Sequence, residues 1–181
     1  MKQTIPKRKM AHKRRLKRYD LVDDDDKKIA VGTVSEALSR KLARRAVHIF
    51  VFNKKNELLI CKRPAHTRAY PNLYTSSAGG KVERGESYRE AAMRELYEEL
   101  GIRAKLSHIG RFDVKSPRHG KMIHHLFAAS LIGKIRFLEH EIAAHEFLNL
   151  KKLRKDVARR PRRYTAPFRE ALKLYLESTD K

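Results

Sequence analysis

The chain has 181 residues and a formal net charge of +22, from 43 lysines and arginines against 21 acids. That length suits one domain of about 150 residues plus tails, large enough to bury about two-thirds of its unfolded surface without staples. The single cysteine, Cys61, excludes an intramolecular disulfide and fits a reducing compartment. No apolar run approaches the roughly 18 residues that cross a bilayer, and the N-terminus lacks the hydrophobic stretch of a secretory leader. No membrane span and a cytoplasmic location are therefore expected.

Residues 1–18 carry Lys2, Lys7, Arg8, Lys9, Lys13, Arg14, Arg15, Lys17 and Arg18 with little apolar pattern. This composition predicts a basic, disordered tail drawn to polyanions. One domain is expected over residues 19–178. Tyr19-Asp20-Leu21-Val22 is set to pair with residues 29–34 as an edge hairpin, with Asp23 to Asp26 as its turn or as a charge partner of the tail. Residues 35–43 look helical and basic. Residues 46–52 read as a buried strand, and 57–62 as its hairpin partner across Asn53-Lys54-Lys55-Asn56. Cys61, inside the apolar run Leu58-Leu59-Ile60, reads as a buried structural thiol.

A proline-bounded loop over residues 64–72 feeds a short strand at about 73–77, and Gly79-Gly80 opens the next loop. Beyond residue 102, strands are predicted near 104–114, 122–132 and 145–150. Phe168, Leu172, Leu174 and Leu176 give residues 165–177 a helical apolar spacing. A second basic cluster comprises Lys151, Lys152, Arg154, Lys155, Arg159, Arg160, Arg162 and Arg163. Association with RNA or the ribosome is one reading of this charge, because phosphate neutralisation binds without regard to sequence. An anionic membrane surface, or a solvated basic face with no partner, are the others. The histidines, His48, His119, His124 and His125 among them, lack metal-ligand spacing and read as structural or exposed.

The densest signal lies in residues 80–102, GKVERGESYREAAMRELYEELGI. Ser87 with Glu90 forms a capping box, so a helix should start at about Ser87, and Gly101 stands where a C-cap glycine belongs. Ala91, Ala92, Leu96 and Leu100 make a stripe that can pin this helix to a core. Glu95, Glu98 and Glu99 are three and four apart and share one face. Three acids so close repel one another and raise a pKa unless a cation sits among them. Hard oxygen ligands of this kind suit Mg²⁺ or Mn²⁺. A solvated acidic helix face is the plain alternative.

This segment resembles the Nudix box, GX5EX7REUXEEXGU with U aliphatic, and fills every fixed position of it. The resemblance implies an α+β fold: an α-β-α sandwich with a mixed β-sheet and a catalytic loop-helix-loop. It implies hydrolysis of a pyrophosphate linkage in a nucleoside diphosphate derivative or related organic diphosphate, with Mg²⁺ or Mn²⁺ as cofactor. By the same resemblance Glu95, Glu98 and Glu99 are metal ligands and Gly80 adds a backbone carbonyl. Arg94 would orient the acids, as guanidinium forks do. Glu86 would be a weaker ligand or a partner of Arg94. Glu98 or Glu99 can double as general base. A downstream acid often takes that role in the superfamily, and here Glu141 is the candidate, ahead of Glu139 and Glu146. The related pattern has a further acid three residues on, where this chain has Ala144.

Over residues from about 19 to 177 the chain is similar to the branch that includes isopentenyl diphosphate isomerase. The segments concerned are YDLVDDDD, RRAVHIFVFNKKNELLICKRP, YPNLYTSSAGG and the box itself. The isomerase needs a cysteine just before the box glycine, where this chain has Gly79. Its two metal-binding histidines correspond to Lys81 and Arg44. Hydrolysis is expected rather than isomerisation. Arg63, Lys62 and Lys81 are candidate substrate-binding residues, with Arg68 as a further source of charge. Tyr70 and Tyr74 read as packing residues or as stacking partners of a base. A second reading keeps an RNA-associated protein that acts on RNA 5′ ends or binds without chemistry.

Overall fold

The structure, a computed structural model, describes residues 17–116, 120–137 and 140–179. Most of the predicted basic tail, His119 and Glu139 lie outside the described residues. Among those described, nine strands form one mixed sheet. Its centre is β3 (Ala43–Phe52), a run rich in β-branched and aromatic residues and buried at nearly every position. β3 pairs in parallel with β8 (Gly120–Ser130). It pairs antiparallel with β1 (Tyr19–Val22), β4 (Glu57–Lys62) and β6 (Ala78–Lys81). The predicted edge hairpin is present, as β1 against β2 (Lys28–Gly32). β4 also carries β5 (Tyr74–Thr75) and β9 (Ala144–Asn149), and β7 (Ser107–Ser116) extends the sheet beyond β8.

Alternation along β3 divides the core. Val47, Ile49 and Val51 face helix α2 (Tyr88–Leu100), which presents Ala91, Ala92, Leu96 and Leu100 to them. Phe50 and Phe52 face the opposite way. They meet Leu153 of α3 (Leu150–Arg159) and Phe168, Ala171 and Leu172 of α4 (Ala166–Thr179). A helix layer on each face makes the expected α-β-α sandwich, of α+β class. A short α1 (Val34–Ser39) follows the edge hairpin, held by a capping box between Thr33 and Glu36. No helix among the described residues is long and apolar enough to cross a membrane.

The acidic run is a turn whose charges find partners on the domain. Asp23 Oδ1 accepts from the N–H groups of Asp25 and Lys27 at 3.0 and 2.9 Å. Asp26 pairs with Arg45 at 2.7 Å, and Asp24 with Lys121 at 2.7 Å. Cys61 is buried, its thiol directed at the Ser77 carbonyl at 3.3 Å.

Several features depart from expectation: Gly79 and Gly80 lie in β6 rather than opening a loop, and the helix expected over 35–43 ends at Ser39, β3 starting at Ala43 rather than at 46. Of the strand expected at 73–77 only β5 forms, and the chain rejoins the sheet as β6 after Ser77, which turns inward. Its hydroxyl accepts from Val51 N–H at 2.8 Å and donates to the Leu59 carbonyl at 2.6 Å, bridging β3 and β4 where they part. The strand expected from residue 104 begins at Ser107, since Ile102 and Leu106 are already committed to the core beneath α2. Helix α3 was not expected at all. Asn149 Oδ1 caps it through Lys151 N–H at 2.9 Å, and Leu153 anchors it while the basic residues around it face solvent.

Candidate active site

The loop before α2 and the helix itself are locked by local chemistry. Ser87 Oγ accepts from Glu90 N–H at 3.2 Å, and Glu90 Oε2 accepts from Ser87 N–H at 2.8 Å. At the other end Gly101 takes a left-handed φ of 66° and donates to the Tyr97 carbonyl at 2.9 Å. Between these caps, the turn that buries Leu96 and Leu100 sends Glu95 and Glu99 toward β6. Contact there is so close that a Cβ on Gly80 would overlap the Glu95 carboxylate. Only glycine fits at position 80 without moving that acid.

Arg94 ties the loop to the helix. It grips Glu86 in a two-point fork, Nε to Oε1 at 2.7 Å and Nη2 to Oε2 at 2.9 Å. Its Nη1 donates to Glu95 at 2.8 Å and to Glu98 at 3.1 Å, and Nη2 also donates to the Lys81 carbonyl at 3.1 Å. Of the two roles expected for Glu86, the geometry holds it as the partner of Arg94. Glu98, with 55% of its side chain exposed, leans on Arg94 at the rim.

Glu99 is set deep beside Glu95. Burial, then the charges of Glu95 and Glu141, push its pKa well above the ordinary carboxylate value, although the Gly79 N–H and Arg63 oppose the shift. Burial also raises Glu95, with Glu98 and Glu141 adding to it and Arg94 opposing. Glu141 is thus brought within electrostatic reach of both acids from the loop before β9. Glu146 points elsewhere, acting on Tyr74 and Tyr164. Among the described residues no three His, Cys, Asp or Glu side chains are already gathered tightly enough to hold an ion. In donor chemistry, however, Glu95, Glu99 and the Gly80 carbonyl suit a hard divalent cation, and mutual repulsion with a raised pKa is what such a cation would relieve.

Two of these acids, Glu99 and Glu141, border a cavity of about 540 Å³. Glu99, Glu141, Lys62, Arg63 and Lys81 all line it, so acids and bases separated in sequence meet around one cavity. Arg63 is fixed by a hydrogen bond from Nε to the Ala69 carbonyl at 2.9 Å. Arg68 is exposed and lies off the wall. Tyr70 lines the cavity with a φ of 52°, unusual for a residue with a side chain. Tyr74 packs on Tyr164, ring centroids 5.9 Å apart, under the Arg163 guanidinium. His48 and His124 also line the cavity, a role the scattered histidines did not suggest. Period-two alternation from Phe50 was the available signal, since it places His48 on the α4 side of β3.

Comparison with known proteins agrees with this geometry. The profile of the NUDIX domain family matches residues 42–168. An uncharacterized Nudix hydrolase of Pseudomonas aeruginosa is 32% identical over 158 residues, covering 87% of this chain and 92% of its own. An isopentenyl-diphosphate Delta-isomerase of Serratia proteamaculans is 28% identical over 157 residues, covering 84% and 88%. A crystal structure from Deinococcus radiodurans shares the fold at a TM-score of 0.72 and 23% identity, covering 87% of this chain and 98% of its own. With its box, fold and relatives in agreement, the chain belongs to the Nudix family and is a pyrophosphate-cleaving Nudix hydrolase.

Proposed function

We propose that the protein is a Mg²⁺-dependent hydrolase of a nucleoside diphosphate derivative or related organic diphosphate, working in the cytoplasm, with Mn²⁺ able to replace Mg²⁺. One observation carries this reading: Glu99, whose pKa burial, Glu95 and Glu141 raise, lines with Glu141 a cavity that Arg63, Lys62 and Lys81 also line. The acids suit a cation and the bases suit phosphate oxygens. When bound, the metal would polarise the phosphoryl oxygens and make water a stronger nucleophile. Glu95, Glu99 and the Gly80 carbonyl would hold it, with Glu98 swinging in from the rim. Arg94 keeps the acids in place, and Arg63 with Lys81 would neutralise the leaving phosphate. Glu141 is the favoured general base, since its charge reaches both buried acids.

Isomerisation is disfavoured by the space at Gly79. A Cβ there would stand 2.6 Å from the Val47 carbonyl oxygen, so the cysteine that chemistry requires does not fit this backbone.

The test is product release from a panel of diphosphates with Mg²⁺ and with Mn²⁺, wild type beside Glu98→Gln and Glu99→Gln. ADP-ribose, dinucleoside polyphosphates, dNTPs, coenzyme A, isopentenyl diphosphate and 5′-triphosphate RNA make up the panel. Turnover of one member, lost in both variants, is expected. Turnover that survives in both would sink the reading.

A second reading, association with RNA, is favoured by α3. Lys151, Lys152, Arg154, Lys155 and Arg159 face solvent there, and the helix's own acid, Asp156, is engaged by Arg160, Arg163 and Tyr164. Its test is RNA affinity across a salt series. Loss of about one phosphate contact per Lys→Gln change on α3 is the expected slope difference.

A further inference from the structure

The edge hairpin of β1 and β2 precedes residue 42, where the match to the NUDIX profile begins, yet it reaches the loop and helix that carry the acids. Asp20 of β1 is buried, only 8% exposed. Its Oδ1 pairs with Lys28 Nζ at 2.9 Å, and its Oδ2 accepts from the Gly85 N–H at 3.3 Å. Gly85, with a φ of 83°, stands immediately before Glu86. The hairpin turn makes a second contact on the helix. Asp26 Oδ2 accepts from the hydroxyl of Tyr88, the first residue of α2, at 3.0 Å. Arg45 joins the same turn, donating from Nε to Asp26 Oδ1 at 2.7 Å and from Nη2 to the Asp26 carbonyl at 2.6 Å. The Arg45 carbonyl in turn accepts from the Val82 N–H at 3.1 Å, two residues past Gly80. The segment from Gly80 to Tyr88 is thus held from outside near its start, its middle and its end.

We propose that this hairpin sets the catalytic loop, with Asp20 as a positioning residue for hydrolysis through Gly85 and Asp26 as a second one through Tyr88. The inference rests on the hydrolase reading above and adds residues to its machinery. Nothing stands within 4 Å of where a Gly85 side chain would begin, so packing does not restrain the turn and hydrogen bonds must. Those between Glu83 and Glu86 lie within the loop and move with it. Lys17 pairs with Glu83 at 3.3 Å, but both side chains are well exposed and such a pair contributes little. The Asp20 carboxylate, by contrast, is buried and anchored to the sheet, and its bond to Gly85 is charge-assisted. A shift of the turn would draw Glu86 out of the Arg94 fork and loosen the hold of Arg94 on Glu95 and Glu98. A displacement of about 1 Å at an oriented site costs on the order of 100-fold. The pair with Lys28 serves the hairpin itself; the bonds to Gly85 and Tyr88 cross from it to the catalytic unit.

The experiment uses the full chain with Mg²⁺ and whichever diphosphate of the panel wild type turns over. Asp20→Ala is compared with Asp20→Asn, whose amide oxygen can still accept from Gly85, and with Thr33→Ala, which weakens the cap of α1 without touching the loop. Asp20→Ala should lose about 10–100-fold in kcat, with KM within about threefold of wild type. Asp20→Asn should recover most of that loss, and Thr33→Ala should keep the wild-type kcat although its Tm falls. Tyr88→Phe, which removes only the hydroxyl, should lose about 3–10-fold in kcat. Combined with Arg94→Lys, either Asp20→Ala or Tyr88→Phe should cost much less than the product of the single losses, because all act on one loop. Calorimetric titration with Mn²⁺ gives a readout without turnover: Asp20→Ala should bind about 10-fold more weakly, and Asp20→Asn nearly as wild type. Should Asp20→Ala fail to fold, the cycle with Tyr88→Phe decides. Single losses that multiply in the double variants, a kcat loss in Thr33→Ala as large as in Asp20→Ala, or equal Mn²⁺ affinity in wild type and Asp20→Ala each overturn this inference alone. A wild type inert towards every diphosphate overturns the hydrolase reading and this inference with it.

Discussion

The guanidinium of Arg94 holds the Glu86 carboxylate at two points, 2.7 and 2.9 Å, while its remaining donors reach Glu95, Glu98 and the Lys81 carbonyl. A residue on the helix thereby fixes the loop that carries Gly80. Lysine keeps the charge but cannot make the fork. Arg94→Lys should cut kcat by about 10–100-fold, since misplacement of about 1 Å costs that much in an oriented site. Stability should fall by only about 1–2 kcal/mol, a Tm change of roughly 3–6 °C for a domain of this size. Steady-state kinetics beside a thermal melt checks both, and a large melt shift with intact kcat would contradict a positioning role.

Glu99 should show opposite effects on folding and on catalysis. Its folded pKa is raised by burial and by Glu95 and Glu141, so ionisation costs stability once pH rises above the ordinary carboxylate value of 4.5. Glu99→Gln removes that charge, and in EDTA its Tm should equal or exceed that of wild type. Turnover with Mg²⁺ should fall by about 10³-fold or more, as expected for an essential group. Saturating Mg²⁺ should raise the wild-type Tm by several degrees, because a ligand at about 100 times its Kd adds about 2.7 kcal/mol. The variant should lose most of that rise. An equal rise in both proteins would place the metal elsewhere.

What could be read in advance was local. Ser87, Glu90 and Gly101 define their helix through contacts within a few residues, and those caps are present as spaced. The loop acid Glu86 and Arg94 are eight residues apart, still within one supersecondary unit. Glu141 is preferred over Glu146 through the family resemblance alone, because in the residues themselves only the course of the chain into β9 separates the two. The His48–His124 pair was harder still. These two meet because β3 and β8 run parallel, with Ala46 beside His124 and His48 beside Leu126, and no local pattern specifies that register. Helix α3 was hidden for another reason: Leu150, Leu153 and Val157 are its apolar residues, and the basic run between them reads as tail rather than as helix.

That difference between Glu141 and Glu146 can be measured. Glu141 lines the cavity and acts on Glu95 and Glu99, whereas Glu146 acts on the tyrosines at the α4 side. Glu141→Gln should lower kcat by about 10²–10⁴-fold, the usual worth of a general base, and change the pH–rate profile. Glu146→Gln should stay within about twofold of wild type. Similar kinetics for the two variants would remove Glu141 from the mechanism.

Gly79 offers a test of branch identity. Its missing side chain leaves room for the Val47 carbonyl, which a Cβ would approach to 2.6 Å. Gly79→Cys should therefore destabilise the fold by about 1–3 kcal/mol, as overpacking does, and should not yield isomerisation of isopentenyl diphosphate. Thermal unfolding and product analysis by NMR would settle it. Dimethylallyl diphosphate among the products would restore the isomerase reading.

Burial of His124 should make the fold sensitive to mild acid. Its folded pKa of about 4 lies below the ordinary 6.5, with burial as the main cause and the nearby charge of Asp113 opposing it. The unfolded chain therefore binds a proton more readily than the folded one through this window. The stabilisation is complete above the ordinary value and is lost as pH falls toward about 4. For this residue alone the loss from pH 7 to pH 5 is about 2 kcal/mol. His48, also held well below its ordinary value by burial, acts in the same direction. Urea denaturation at pH 7, 6 and 5 should show the unfolding free energy dropping for wild type and dropping less for His124→Asn, which cannot take up the proton. The comparison needs only the slopes, so a general loss of stability in the variant does not obscure it. Parallel slopes would mean that His124 is solvated or already paired in solution, and the wall of the cavity would then be wetter than its packing against Phe112 indicates.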